Sequence, residues 1–252
     1  MTSDAGFDTV GRFSDRAEDY VRYRPTYPAA AAEAILDGLG PTDRLLVADI
    51  GAGTGISARL IAAAGAKVVA VEPGEKMRRA AERHANVSWI GGRAEATGID
   101  AHAFDVVLCA QAFHWFQPSA TLREFARILK RRGRLALMWN RRSTSDPFTA
   151  GYREAIVEIG GDITAERMPF DPDVVTRSEL FTRPERIAFP HVQHLDLDGL
   201  IGRARSASYV PKSGPDGERM MRLLHRLHDR YADAKGVVTL VYETEVYRSH
   251  GR

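Results

Sequence analysis

The residues best suited to chemistry lie in one stretch, where an acid and three glycines follow an apolar run. The run from Leu45 to Ile50 contains Asp49, and Gly51, Gly53 and Gly55 follow at alternate positions. Glycine lets the backbone turn tightly and approach a ligand closely, because it has no Cβ. A helix that begins after these glycines would present free N–H groups to polar or anionic ligand atoms. The stretch therefore predicts a buried strand, a ligand-binding loop and a helix, in that order.

The glycine spacing distinguishes this loop from two other nucleotide-binding loops. The dinucleotide fingerprint needs a small residue three places after its second glycine, but Ile56 stands there. A phosphate-binding P-loop is excluded because no Gly-Lys-Ser/Thr follows. The next predicted strand, Lys67 to Val71, is followed by Glu72, and an acid at that place can accept hydrogen bonds from both hydroxyls of a ribose.

Strand, acid, alternate glycines, helix, strand and acid in this order resemble the class I S-adenosylmethionine (SAM)-dependent methyltransferases. The segment from Phe13 to Pro28 and the string from Gln111 to Phe116 resemble the type 11, trans-aconitate methyltransferase-like subgroup. The resemblance implies an α/β fold with a Rossmann-like, doubly wound seven-stranded sheet. The last strand would be antiparallel, helices would cover both faces, and a small insertion would cover the substrate.

The same resemblance implies a single class I methyltransferase domain over residues 1–252. Residues 1–40 would form an N-terminal helical cap, and residues 41–145 would form the SAM-binding half. Residues 146–252 would form the substrate-side half.

SAM is the cofactor that the resemblance implies, with S-adenosyl-L-homocysteine (SAH) as the product. Asp49 would organise the loop and bind the methionine amine, and the planar fork of Arg24 suits a carboxylate. Alternatively, Arg24 forms a surface ion pair, and Glu95 lies in a solvated loop. The residues implied to contact SAM are Tyr20, Arg24, Asp49, Gly51, Ala52, Gly53, Gly55, Glu72, Met77, Ala94, Glu95, Gln111 and Ala112.

Four side chains are candidates for the acceptor side of the site. Phe113 and Trp139 would face the positive sulfonium or line the acceptor site, and packing in the core is the alternative. Arg142, after a predicted strand, would bind an acidic substrate or lie in solvent. Tyr209 would donate a hydrogen bond to the substrate or anchor a helix.

His114 is the candidate catalytic residue, because histidine can take up a proton near neutral pH. It would deprotonate a hydroxyl or an amine, whereas a carboxylate acceptor needs no base. A structural histidine that bonds to the backbone is the alternative.

Composition limits the other classes of function. The net charge is only +2 and the charges are scattered, which argues against a dedicated nucleic-acid binder. Cys109 is the only cysteine and lies in an apolar run, so we expect it to be inert core. We expect a cytoplasmic protein that acts on a small molecule as a monomer or homodimer. The sequence shows no nucleic-acid, membrane or metal site.

The predicted reaction is direct in-line transfer of a methyl group from SAM to a small molecule. The acceptor atom would be a carboxylate or hydroxyl oxygen, or a nitrogen. The alternative is a SAM-binding protein with another role, either cyclase-like or regulatory. A nicotinamide-dependent reductase is a third class, and Ile56 argues against it.

Overall fold

The computed structural model describes residues 21–160, 170–207 and 209–252. A seven-stranded sheet runs through it in the order β3-β2-β1-β4-β5-β7-β6. The strands are β1 (Leu46–Ile50), β2 (Lys67–Val71), β3 (Val87–Ile90), β4 (Phe104–Ala110), β5 (Leu129–Arg142), β6 (Glu185–Leu195) and β7 (Val238–His250).

Strands β1 to β5 pair in parallel, and β7 lies antiparallel between β5 and β6. The doubly wound sheet with an antiparallel last strand is therefore confirmed. Because the parallel strands share one direction, the loops that follow β1, β2, β4 and β5 meet at the same edge of the sheet.

The described α-helices cover the sheet. They are α1 (Ala29–Leu36), α2 (Ile56–Ala63), α3 (Glu75–Ala80), α4 (Pro118–Ile128), α5 (Pro147–Ile159), α6 (Asp173–Arg177), α7 (Leu197–Arg205) and α8 (Gly214–Tyr231). No helix in these described ranges is long and apolar enough to cross a membrane.

Apolar strands fill the core on both faces of the sheet. Val107, Leu108 and Cys109 of β4 are fully buried, as a continuous apolar run in a central parallel strand predicts. Two core clusters lie on opposite faces, and a third lies where α5, α7 and α8 pack against the start of β7.

The sequence pattern predicts a helix over Thr121 to Lys130 and a last strand over Val237 to Thr244, and the structure differs at both. The periodicity extends the helix before β5 to Lys130, but α4 ends at Ile128 and β5 begins at once. Lys130 instead extends along the sheet, where its ammonium group lies 2.8 Å from both carboxylate oxygens of Asp105 on β4. At the other end of the chain β7 continues beyond Thr244 to His250.

The extension of β7 depends on charges that a strand pattern does not anticipate. Glu243 and Glu245 both form ion pairs with Arg186 of β6. These ion pairs allow two acidic residues to lie within the strand. In the sequence alone, the acidic stretch resembles the end of a strand.

A buried arginine attaches α1 to the centre of the sheet. Arg134 of β5 is only 6% exposed. Its Nη1 donates to the backbone oxygens of Ile35 at 2.8 Å and Asp37 at 2.7 Å. These carbonyls end α1, where helix N–H groups cannot reach them and the helix dipole favours a cation.

Replacing Arg134 by methionine should lower the free energy of unfolding by about 2–3 kcal/mol, because charge-assisted hydrogen bonds are lost and the end of α1 stays buried. Urea denaturation would measure this difference. Arg131→Met, which removes an exposed arginine of the same strand, is the control and should change stability little. If both variants lose the same free energy of unfolding, Arg134 stabilises the fold through its positive charge and not through its hydrogen bonds to the end of α1.

Candidate functional site

The loop between β1 and α2 has a backbone that only glycine adopts easily. Gly51, Gly53 and Gly55 have φ values of +71°, +58° and +79°. This left-handed conformation is strained for residues that carry a Cβ. The alternation of glycines in the sequence therefore follows from the shape of the loop.

Close packing excludes side chains at two of these glycines. A Cβ on Gly51 would lie 2.8 Å from the Cβ of Ala112, and a Cβ on Gly55 would lie 2.7 Å from Cζ2 of Trp89. The N–H groups of Gly51 and Ala52 donate to the carbonyl of Val71 at 2.9 and 3.1 Å, so the loop is tied to the end of β2.

Glu72 bridges the ends of the first two strands. Its Oε2 accepts from the N–H of Gly53 at 3.0 Å, and its Oε1 accepts from the N–H of Gly74 at 2.8 Å. Burial raises the pKa of this carboxyl, and the two backbone N–H groups oppose the rise. Each carboxylate oxygen has two lone pairs and can accept a further hydrogen bond.

Asp49 presents a buried acceptor without a partner. It is fully buried, and its Oδ2 accepts from the hydroxyl of Ser57 at 2.7 Å. Its Oδ1 has no hydrogen-bond partner. Burial raises the pKa of Asp49 to about 7; the hydrogen bond from Ser57 opposes this rise, and the charge of Glu72 adds to it. A buried carboxylate oxygen without a donor is costly, so this site suits a ligand that brings one.

Residues after β2 and β3 form the next part of the same edge. Met77 is buried, with its Cγ 3.5 Å from the position of a Cβ on Gly74. Ala94 is buried as well. Glu95 accepts from the N–H of Gln117 at 3.1 Å, so one of its oxygens already has a protein partner.

The segment after β4 holds its backbone in an unusual conformation. Gln111 has a φ of +54°, its N–H donates to the carbonyl of Met138, and its Nε2 donates to the carbonyl of Asn140 at 3.3 Å. Ala112 packs against Gly51. His114 is exposed on the short turn that follows, with its ring 4.9 Å from that of Trp115.

The two candidate aromatic residues belong to the core cluster on this face. Phe113 is 3% exposed and meets Phe170 edge to face at 5.8 Å. Trp139 is 8% exposed and stacks on the same Phe170 at 4.5 Å. Their packing is established, and contact with an acceptor stays a prediction.

Three further candidates lie on the side of α7. Nη2 of Arg24 donates to the carbonyl of Ser206 at 3.0 Å. The guanidinium of Arg142 lies 5.2 Å from the centre of the Tyr152 ring, and Tyr209 is half-buried beside the same cluster. Tyr20 lies outside the described residues.

The described candidates that follow β1, β2 and β4 meet at one edge of the sheet. Sequence reasoning missed Ser57, although a serine in the first turn after the loop is a recognisable partner for Asp49. It also missed Arg203, a charged residue on the buried face of α7. The register of Arg203 with Leu200 and Ala204 could have revealed it.

Comparisons with known proteins find similarity to methyltransferases. Residues 48–137 match the family model described as a methyltransferase domain. An uncharacterised methyltransferase of Mycobacterium tuberculosis is 36% identical over 200 residues, which cover 78% of this chain and 76% of that protein. Another from Schizosaccharomyces pombe is 26% identical over 250 residues, with 94% and 98% covered.

Among solved structures, one example has a similar fold. It belongs to a protein described as a type II methyltransferase from Anaeromyxobacter dehalogenans, with a TM-score of 0.66 and 22% identity. The match covers 91% of this chain and 98% of that one.

The raised pKa of Asp49 should make the stability of the ligand-free protein depend on pH. The folded state holds this proton up to about pH 7, whereas the unfolded state loses it near the ordinary value of 3.8. Stability should therefore fall as the pH rises through that window, by roughly 4 kcal/mol in the limit.

Urea unfolding at pH 5 and pH 8 would measure this effect in the wild type and in Asp49→Asn. The wild type should lose more stability at pH 8 than the variant does, because asparagine does not titrate. The same pH dependence in both proteins would contradict a raised pKa of Asp49 in the folded state.

Proposed function

Since this chain belongs to the class I SAM-dependent methyltransferases, we propose that it methylates a small molecule, at a carboxylate or hydroxyl oxygen or at a nitrogen. The observation that carries the proposal is the buried, unpartnered Oδ1 of Asp49 next to the glycine loop.

The residues at the edge of the sheet fit SAM. Asp49 would accept a hydrogen bond from the methionine amine, and Glu72 would accept from the ribose hydroxyls. Gly53 would leave room for the cofactor because it carries no Cβ. Arg24 would bind the methionine carboxylate through its guanidinium fork.

The other candidates line the path from β2 to β4. Met77 and Ala94 supply buried apolar surface for the adenine, and Glu95 borders it. Gln111 and Ala112 close the loop from the side of β4. The residues are assigned to parts of the cofactor in the order in which the strands before them lie in the sheet.

SAM supplies a methyl group that its sulfonium makes electrophilic. The protein's part is to align the acceptor atom with that methyl group and to exclude water. Alignment of two reactants can lower a barrier by about 7–11 kcal/mol. We assign His114 to accept a proton when the acceptor is a hydroxyl or an amine.

A small acceptor fits the charge of the chain. The net charge of +2 argues against RNA or DNA as the acceptor. Trp139 and Phe113 place aromatic surface at the ends of β5 and β4, where an organic acceptor would meet them.

Calorimetric titration with SAM and SAH tests the proposal directly. We expect micromolar binding of both, followed by methyl uptake in a screen of small acids, phenols and amines. A folded protein that binds neither ligand would refute the proposal. Binding of both without transfer to any acceptor would favour the regulatory or cyclase-like alternative.

Glu72→Gln should weaken SAH binding by about 10- to 100-fold, because a neutral amide replaces the charged acceptor. The same titration measures it. Glu75→Gln is the matched control, since Glu75 is exposed on α3 and pairs with Arg79 at 2.6 Å. If both variants bind SAH like the wild type, Glu72 does not contact the cofactor.

A further inference from the structure

Arg78 of α3 reaches back to the turn that follows β2. Its Nη1 donates to the carbonyl of Glu72, six positions earlier, and at 2.9 Å to the carbonyl of Pro73, five positions earlier. Side chains on a helix lean toward the N-terminus of the helix, so a long side chain at the end of α3 can cover this distance. The half-buried arginine therefore ties the end of α3 to the end of β2.

The two carbonyls lie where the sheet stops supplying donors. The pairing of β2 with β1 and with β3 ends at Val71. Pro73 has no backbone N–H, so the chain cannot continue a regular ladder there. A guanidinium offers several donors together with a positive charge, and such charge-assisted hydrogen bonds are stronger than neutral ones. Arg78 thus supplies hydrogen bonds that a longer strand would otherwise have supplied.

The contacts of Arg78 complete a set that fixes Glu72 from several sides. The N–H of Glu72 donates to the carbonyl of Ile90, the last residue of β3, at 3.2 Å. Its two carboxylate oxygens accept from the N–H groups of Gly53 and Gly74 at 3.0 and 2.8 Å. These three contacts come from backbone groups, whereas Arg78 holds the carbonyl of Glu72 through its side chain. A substitution can therefore remove the contact from Arg78 and leave the other three in place.

The same guanidinium also lies against the loop that follows β3. Both Nη atoms lie 3.4 Å from the position of a Cβ on Gly91, which directly follows the end of β3. The arginine thus links the loops after β2 and β3. These are the loops that contain Met77 and Ala94, the two buried residues assigned to the adenine in the proposed function.

The charge of Arg78 favours the form of Glu72 that accepts hydrogen bonds. Burial raises the pKa of the Glu72 carboxyl, and the positive charge of Arg78 lowers it. Asp49, which faces Glu72 from β1, is a like charge. An ionised carboxylate only accepts hydrogen bonds, as ribose hydroxyls require, whereas a protonated one also donates. The charge of Arg78 and its hydrogen bonds therefore act in the same direction.

The neighbouring arginine shows that these contacts do not belong to α3 in general. The side chain of Arg79 is 78% exposed and pairs with Glu75, four positions earlier, at 2.6 Å. Exposed pairs of this kind contribute little. The two adjacent arginines therefore differ in their contacts and not in their charge.

We propose that Arg78 is a positioning residue for the cofactor, because it fixes the backbone of Glu72 so that the carboxylate faces the ribose hydroxyls of SAM. The proposal rests on the proposed function, in which Glu72 accepts from those hydroxyls. Arg78 itself need not touch the cofactor.

Arg78→Met tests the proposal, because methionine keeps an apolar side chain but removes the donors and the charge. The variant should bind SAH about tenfold more weakly than the wild type in a calorimetric titration. A merely structural role predicts a lower melting temperature with unchanged affinity for SAH, and this result would overturn the proposal. Should Arg78→Met not fold, Arg78→Gln provides the same comparison, and unchanged binding contradicts the proposal there too.

A matched control and a conservative variant accompany this measurement. Arg79→Met removes the same charge from the adjacent position and should bind SAH like the wild type. Arg78→Lys should keep the affinity for SAH within about threefold of the wild type, since an ammonium group carries the charge and can donate to both carbonyls. A lysine variant that binds as weakly as Arg78→Met would contradict the role assigned to the charged hydrogen bonds.

A double substitution shows whether Arg78 acts through Glu72. In the Glu72→Gln background, Arg78→Met should weaken the binding of SAH by less than about twofold, because residues that act through one contact are not additive. A loss of about tenfold in both backgrounds would mean that Arg78 acts independently of Glu72, and this would overturn the proposal.

The affinity of the wild type for SAH distinguishes the two proposals. If the wild type binds SAH and Arg78→Met binds it equally well, only the positioning role of Arg78 is rejected. If the folded wild type does not bind SAH, the proposed function is rejected, and the role of Arg78 is rejected with it.

Discussion

The bridge that Glu72 forms between Gly53 and Gly74 is the constraint on which the proposed cofactor site depends. It fixes the loop after β1 against the loop after β2 through a partly buried carboxylate. The loop can take this path only because its glycines accept positive φ values. Asp49, one residue before the end of β1, is thereby held with an oxygen that no protein group satisfies. A loop tied by these hydrogen bonds and an unsatisfied acceptor together suit a ligand with a donor at that point.

The sequence was sufficient to predict this part of the structure, because each feature has a local cause. Gly51, Gly53 and Gly55 are required by backbone conformation, and β4 is marked by an unbroken apolar run. Elements that depend on distant partners were harder to predict. The end of α4 and the length of β7 are accompanied by ion pairs across strands, which periodicity alone does not encode.

The neighbours of Arg142 could not be predicted for the same reason. Arg142 and Tyr242 are a hundred positions apart in sequence and become neighbours only because β7 inserts beside β5. Arg203 arrives from α7, which packs over that end of the sheet. A single buried arginine in a helix is visible in the sequence, but its lack of an acidic partner is a property of the fold.

The edge of the sheet presents different groups beside its different strands. Asp49 and Glu72 lie beside the glycine loop, and burial raises the pKa of both carboxyls. Arg24 reaches the same edge from the side of α7, where its guanidinium donates to the carbonyl of Ser206. The proposed cofactor would thus meet hydrogen-bond acceptors at its amine and its ribose, and a guanidinium at its carboxylate. Proton removal at the atom that receives the methyl group would be a separate task, for which His114 is the exposed candidate after β4.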